Sequence, residues 1–549
     1  MPEYLAPGVY VEEIPNGPRP IEGVTTSTAG FAGLTERGPL QPRLVTSWTE
    51  YAQWFGDTID ATISFLPLAV RGFFDNGGQK AFIARIAGNG AAAASLDLPT
   101  NDANSVLRLK AIGPGDWGNR ILVRVQTASP NGAPPEDCFR VTLLYYRDGI
   151  PSPFVDPIDP ANELDPQRRD PDVLEDFDNL SADAAGANYV ENVVHAASKL
   201  VEAHFVNLLG ACHAPVSGRP QDVAFNPGGS CGGASSALTG GTSGATATPA
   251  EFAGDPSLPA GQRTGLAALA SIEEVSLLLA PDEVNDNVVN SGAITDALVG
   301  QCELLRDRFA VVSIRQGQSD VRTIVPPRDS SYGAVYYPWV RVFDARSQSN
   351  LLMPAVGHVA GIYARSDTER GVHKAPANEL VRGLADQDPS PGQEPLEYVI
   401  TTRELDILNP RGVNTIRDFR VGHHGIRVWG ARTMSSDPEW KYLNVRRLFL
   451  FVEQSIDRGT QWVAFEPNGE PLWAIVRQVV SNFLVTVWRS GALQGSTPDK
   501  AFFVRCDRTT MTQDDIDNGR LICLIGMAPL RPAEFVIFRI GKWTQEHLM

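Results

Sequence analysis

Helical and strand periods alternate along the chain, and they are clearest near its end. Tyr442, Val445, Phe449, Val452 and Ile456 recur at spacings of three and four, giving one apolar stripe. Asp437-Pro438 supplies a cap and a first-turn proline, and Gly459 a stop, so a helix is predicted between them. A second helix is predicted from Pro471 to Arg489; Arg477, Gln478, Ser481 and Asn482 interrupt its apolar run. That run falls short of the ~18 uninterrupted apolar residues of a membrane span and reads as a core helix. A strand at Ala501–Cys506 follows, then a short helix with Thr512 and Asp515 as a capping box and Gly519 as its stop, then a strand at Leu521–Gly526. Nearer the start, Val24–Leu34 reads as a strand, and Ser47–Gly56 as a helix with Ser47 as cap and Glu50 completing the box. Phe65–Phe74 reads as another helix and Ala81–Ile86 as a buried strand.

The stretch from about residue 105 to 235 has a different texture. Strands are predicted at Val106–Ile112, Ile121–Gln126 and Phe139–Arg147, and a helix at Tyr189–Phe205. An acidic, proline-rich loop lies between Asp148 and Asp172, and Pro227–Gly244 is rich in Gly and Ser, a flexible joint. This block reads as an inserted domain. Core-like sequence then resumes, with a strand at Val275–Asp282, a helix at Ile294–Phe309 and a strand at Ala310–Ile314. Short apolar strands alternating with helices indicate an α/β sheet covered on both faces. The expectation is a mixed α/β (α+β) multidomain chain, and 549 residues exceed what one core supports. Its segments are 1–20, an extended arm; 21–100 and 241–395, a core α/β domain; 101–240, the insertion; 396–532, a C-terminal α/β domain; and 533–549, a second arm.

Both ends look like strands in need of a sheet. Pro2, Pro7, Pro15, Pro18 and Pro20 surround the strand-like run Val9-Tyr10-Val11-Glu12-Glu13-Ile14, and prolines keep such a tether extended. At the other end Phe535 and Ile537 point one way, and Val536, Phe538 and Ile540 the other, with Arg539 among them. A strand apolar on both faces is normally buried on both, and an unpaired one is an aggregation site. It either pairs within its own domain or adds to a neighbour's sheet by β-augmentation. The N-terminal run has no local hairpin partner and favours the second solution. Two such ends per subunit link each copy to others, and an open heterologous contact repeated by screw symmetry builds a helical tube.

Composition narrows the class. Hydrophobic residues make up 43% and charged residues 20%, an ordinary globular balance. The net charge of -17 argues against nonspecific nucleic-acid binding, which needs a basic footprint. Cys138, Cys212, Cys231, Cys302, Cys506 and Cys523 are too sparse for a disulfide framework, and the last two read as buried core thiols. The opening MPEYLAPGVYVEEIP has neither a basic n-region nor an apolar h-region, so synthesis in the cytoplasm is expected.

Several segments together resemble the contractile tail sheath proteins of phages, R-type pyocins and extracellular contractile injection systems. They are PGVYVEEI, TAGFAGLTERGPL, SWTEYAQWFG, GGQKAFIARI, GPGDWGN, LTGGTSGA, LLLAPD, YPWVRVFD, LNPRGVNTIRDF, GIRVWGARTM, WKYLNVRRLFLFVEQSI and PAEFVIFRI, spread in family order over nearly the whole chain. The block after Gly113 matches least well. The resemblance implies a structural subunit, not an enzyme, that polymerises around an inner tube and contracts to drive it through a target envelope. It implies a tube-facing C-terminal domain and an outward-facing insertion. It also implies arms, here Val9–Ile14 and Phe535–Ile540, that complete a sheet in neighbouring subunits. Its implied partners are other copies of the chain, an inner tube protein, a baseplate and a terminator or cap, with no nucleic acid, cofactor or membrane insertion. Assembly in a bacterial cytoplasm and membership of a phage tail or a released particle follow. The free energy resides in the fold and its interfaces, in keeping with the lack of a G-x-x-x-x-G-K-[ST] phosphate loop.

Other chemistry is weaker. Gly228-Gly229-Ser230-Cys231-Gly232 matches the G-x-S-x-G nucleophile elbow, which requires a strand before it and a helix after it. The alternative function is therefore a cytoplasmic α/β hydrolase using Ser230, set against a flexible loop. His423-His424 lacks an acidic or cysteine ligand at useful spacing and reads as a structural or tube-facing pair. Asp282, Glu283 and Asp286 lack the EF-hand order and read as a solvated turn. Asp514, Asp515 and Asp517 favour the dipole of a helix start. Arg446 and Arg447 flank the apolar stripe of their helix, facing either a tube or solvent.

Overall fold

Short runs of small and β-branched residues in the first half of the chain become strands of one large sheet. The computed structural model describes residues 20–101, 105–129, 138–208, 218–227, 235–385, 394–535 and 537. The chain divides into two compact units: a larger one of Thr26–Thr368 with Pro376–Leu443, and a smaller one of the residues up to Thr25, Glu369–Ala375 and those from Asn444 onward.

The larger unit opens with β1 (Ala29–Gly33), β2 (Arg43–Val45) and β3 (Ala81–Arg85). β1 and β3 are parallel neighbours, and β2 lies antiparallel at the edge of β3. All five residues of β1 are buried, and a Cβ on Gly30 would come within 2.9 Å of Val275. The connecting helix Trp48–Phe55 is capped by Ser47, whose hydroxyl accepts the Glu50 N–H at 3.1 Å. The Glu50 carboxylate does not close the box on Ser47; it accepts from the N–H and hydroxyl of Thr46, each at 2.8 Å.

The insertion follows β3. Its strands β4 (Ser95–Pro99), β5 (Ser105–Ala111), β6 (Ile121–Thr127), β7 (Phe139–Tyr145), β8 (Val173–Leu180) and β9 (Val201–Asn207) form two antiparallel sheets, β4–β5–β9 and β6–β7–β8. The two sheets share one apolar core containing Leu107, Leu109, Val123, Leu143 and Leu200. The expected single helix over Tyr189–Phe205 is instead a helix at Val190–Ala197 followed by β9. Ser198 breaks it: its hydroxyl donates to Glu175, and its oxygen accepts the N–H groups of Leu200 and Val201. After that break Val201 and Ala203 alternate inward with period two. Tyr145 donates to Glu36 at 2.7 Å and Arg147 pairs with the same carboxylate at 2.9 Å, tying the insertion to the loop after β1.

The chain then returns on the other side of β1. β10 (Leu277–Leu279), β11 (Phe309–Ser313) and β12 (Gly333–Tyr337) are parallel and buried throughout. β13 (Val340–Asp344) and β14 (Ser349–Met353) make a separate ribbon. β15 (Glu379–Leu380), β16 (Val413–Asp418) and β17 (Ile426–Trp429) complete a nine-stranded sheet ordered β15-β17-β16-β12-β11-β10-β1-β3-β2. The C-terminal unit therefore begins at Asn444 and not at residue 396. Residues 413–415 pair with 335–337, and Ile416 and Val428 are fully buried in the larger unit. The helix expected from Asp437-Pro438 starts instead at Leu443. Asp437 caps only a turn, accepting the Glu439 N–H at 2.9 Å, and a bridge from Arg432 to Tyr442 holds the chain extended.

Helices Leu66–Asp75 and Val356–Arg370 cross at backbone distance because two glycines face the crossing. A Cβ on Gly357 would lie 2.1 Å from the Ala69 carbonyl oxygen, and one on Gly361 2.3 Å from that of Phe73. Between them the His358 ring fills the space over Gly72, and burial depresses its pKa to about 4, so it packs neutral. Replacing Gly361 with Leu overpacks this crossing and is expected to cost about 1–3 kcal/mol, read as a lower urea midpoint; a wild-type midpoint would show that the helices can part freely.

Candidate assembly surface

In the smaller unit the apolar stripe of helix Leu443–Gly459 meets that of helix Glu470–Arg489. Leu448 and Val452 share a core with Trp473, Val476, Val480 and Leu484, and the Phe451 and Phe483 rings lie 6.0 Å apart. Gly23 and Val24 lie along the first helix: a Cβ on Gly23 would meet Phe451 at 2.9 Å, and the Val24 N–H donates to the Ser455 hydroxyl at 3.1 Å. Over this core lies an antiparallel ribbon of β18 (Phe502–Arg505) and β19 (Leu524–Met527), in register from Phe502↔Met527 to Arg505↔Leu524. Phe502 and Val504 turn toward the core, while Phe503 is 45% and Leu524 51% exposed. The intervening helix Gln513–Asp517 carries the expected Thr512–Asp515 capping box, which accounts for those acidic residues without catalysis.

Among the described residues no third strand joins this ribbon. A two-stranded sheet presents an outer edge of N–H and C=O groups on each strand, and an isolated pair is marginal on its own. The chemistry available here is main-chain hydrogen bonding to an extended segment on either side.

The residues expected to supply such segments fall at the limits of the description. Val9, Tyr10, Val11, Glu12, Glu13 and Ile14 lie outside the described residues, as do Val536, Phe538, Arg539 and Ile540. Phe535 and Ile537 are described, and they are 72% and 77% exposed and outside any strand of this chain. The expectation that Arg446 and Arg447 face a tube or solvent fails for the single chain: they are 5% and 3% exposed, packed inside rather than displayed. His423 and His424 are exposed in the connection between β16 and β17, where His423 adopts a left-handed φ of 59° and its N–H donates to the Arg420 carbonyl. Ser230 and the rest of 228–232 lie outside the described residues; the described stretches on either side form isolated bridges, not the strand and helix of an elbow. No group of three metal-ligating side chains occurs among the described residues, and no described helix is long and apolar enough to cross a membrane.

Residues 260–434 match the phage tail sheath protein central domain, and residues 435–541 match the phage tail sheath C-terminal domain. The chain belongs to the phage tail sheath protein family. A curated relative, the putative prophage major tail sheath protein of Pseudomonas aeruginosa (strain UCBPP-PA14), is 25% identical over 303 residues, 53% of this chain and 72% of that protein. The helical sheath of the anti-feeding prophage in its contracted state is similar with a TM-score of 0.55 and 22% identity, over 99% of this chain and 100% of that one. The sheath complex of an extracellular contractile injection system, PVC, also contracted, is similar with a TM-score of 0.54 and 21% identity, over the whole of both chains. These two likenesses are of fold, and they extend the sheath-type architecture to the residues before 260.

The larger unit of this sheath-family chain also revises the reading of Asp282 and Glu283 as a solvated turn: both are buried, at 0% and 1% exposure. Asp282 follows β10 at the point where the strand order reverses about β1, the crevice in which open α/β sheets commonly hold ligands. Its carboxylate fills that crevice, accepting from the Ser64 hydroxyl at 2.6 Å and the Phe65 N–H at 2.7 Å at the start of a helix. Burial raises its pKa to about 6 despite these donors. Glu283 accepts the Ser313 N–H at 2.8 Å, and burial pushes its pKa up to about 8. A carboxyl that holds its proton in the fold but releases it near pH 4.5 when unfolded adds stability fully below that pH and loses it as pH rises through 8. Glu283→Gln keeps an acceptor for Ser313 without the titration. Its stability relative to wild type is expected to improve by about 3 kcal/mol or more between pH 5 and 8, measured by urea unfolding; a difference constant with pH would contradict a proton-bearing Glu283.

Proposed function

We propose that this chain is the subunit of a contractile sheath that polymerises helically around an inner tube and shortens to drive the tube through a target envelope. Its match to the family's central and C-terminal domains, continuous over residues 260–541, carries this reading. The partners are further copies of the chain, an inner tube protein, a baseplate and a terminator or cap. Assembly takes place in a bacterial cytoplasm, and the product is a phage tail or a released particle. The role is structural: work comes from subunits repacking with more buried surface, and no nucleotide or cofactor is consumed.

Subunits are linked through the ribbon of β18 and β19. Val9–Ile14 of one neighbour and Phe535–Ile540 of another add to its two edges, making a four-stranded sheet from three chains. Three features support this. The ribbon has two strands among the described residues, Phe535 and Ile537 stand exposed, and the proline-studded stretch before Ile21 has the reach of a tether. Paired strands keep their hydrogen bonds while their tethers bend, so linkage survives contraction and movement passes from ring to ring. His423 and His424, exposed at a hairpin, remain candidates for tube contact.

Expressed protein is expected to form long hollow tubes in negative stain. Deleting Met1–Pro20 leaves Ile21 and the smaller unit's core in place, and it should give soluble subunits with at least a tenfold loss of tube length. Tubes of undiminished length from the truncated chain would overturn the arm assignment, and esterase-active monomers without tubes would overturn the sheath reading.

A further inference from the structure

The ribbon ends on two cysteines. Its last ladder pair is Arg505↔Leu524, so the next residues outward on the two chains are Cys506 and Cys523. Both are free, and the two side chains lie close enough to shift each other's titration. Residues directly opposite in an antiparallel pair hold their Cα atoms about 4.5–5.5 Å apart, inside the roughly 4.4–6.8 Å range that a disulfide spans. The flanking chains are held together by Thr510, whose hydroxyl bonds the carbonyls of Asp507 at 2.8 Å and Ile522 at 2.9 Å, each next to one cysteine. The two thiols differ in access: Cys506 is 1% exposed within the apolar core, whereas Cys523 is only partly buried.

We propose that Cys506 and Cys523 form a redox-active dithiol that closes to an intrachain disulfide when the chain meets a small disulfide oxidant such as oxidised glutathione. The Cys523 thiolate attacks one sulfur of the oxidant, forming a mixed disulfide as the oxidant's S–S bond breaks and one glutathione thiolate leaves. The Cys506 thiolate then attacks the Cys523 sulfur, forming the protein disulfide and expelling the second glutathione thiolate. Two protein thiols are oxidised, one glutathione disulfide is reduced to two thiols, and the two cysteine protons pass to the departing thiolates. A reducing cytoplasm keeps the pair open, and an oxidising medium closes it, fastening the two strands at the end where their ladder stops. The chemistry is independent of the assembly reading above. Burial raises the pKa of both thiols, that of Cys523 to about 12, so closure is slow at neutral pH and faster in base.

The test uses the full-length chain. It is incubated with oxidised glutathione under native conditions, its remaining thiols are alkylated in denaturant, and its peptides are mapped without reductant. The expected product is a peptide pair joined through Cys506 and Cys523, lighter by two hydrogens than its separate halves, forming about ten times faster at pH 8 than at pH 7. Cys506→Ser should stall as a glutathione adduct on Cys523. Recovery of both wild-type cysteines fully alkylated after prolonged oxidation would overturn the proposal, as would Cys523 joined to another cysteine or to a second chain. Because the wild-type map decides the matter alone, a poorly folding variant does not blunt it.

Discussion

A β-strand edge has to be satisfied by something, and in this chain the main-chain edges of one small ribbon set the terms for the rest. β18 and β19 bury Phe502, Val504, Ile525 and Met527 partly against helix Glu470–Arg489, enough to orient the ribbon on its core. Two strands leave two outer edges, and water meets those groups less well than a third and fourth strand would. Apolar side chains of the smaller unit, Phe503, Leu524, Leu530, Phe535 and Ile537, are each more than a third exposed. On the proposed reading, main-chain pairing with other copies would cover edges and side chains together and make the polymer the unit in which the fold is complete.

The large sheet is a closely packed body. Its central parallel strands are buried on both faces, and its helices approach as closely as Gly357 and Gly361 permit. The crevice where its strand order reverses is occupied by the chain's own Asp282, hydrogen-bonded to the turn before a helix. That side chain and its donors take up the polar space at the reversal within the body of the unit. The insertion stands between β3 and β10, where it leaves the order of the parallel strands undisturbed, and Glu36 anchors it through Tyr145 and Arg147.

Local signals in the sequence were reliable guides where the physics is local. The Ser47 cap, the Gly56 stop, the Thr512–Asp515 box and the helix from about residue 470 to 489 all depend on residues within one or two turns, and all are present in the fold. Distant partners hid the rest. The boundary at residue 396 was misplaced because β16 finds its partner β12 nearly eighty residues earlier. Asp282 and Glu283 carry a surface composition, and donors far off in sequence, among them Ser64, Phe65 and Ser313, make their burial tolerable. Tyr189–Phe205 carries an apolar pattern that suits a helix until Ser198, and the rest turns to the strand period that β5 requires. Arg446 and Arg447 sit beside an apolar stripe, and only packing reveals that they are interior. For the proposed assembly surface, the alternation at Val9–Ile14 and Phe535–Ile540 is a feature of the sequence alone, while the two-stranded ribbon of β18 and β19 emerged only in three dimensions.

The most direct measurement is a cryo-EM reconstruction of the assembled tube at a resolution that traces the main chain. Residues 9–14 and 535–540 should be strands lying beside β18 and β19 of two different sister subunits. Density that folds both ends back onto the subunit they belong to, leaving the ribbon's edges bare in the polymer, would contradict it.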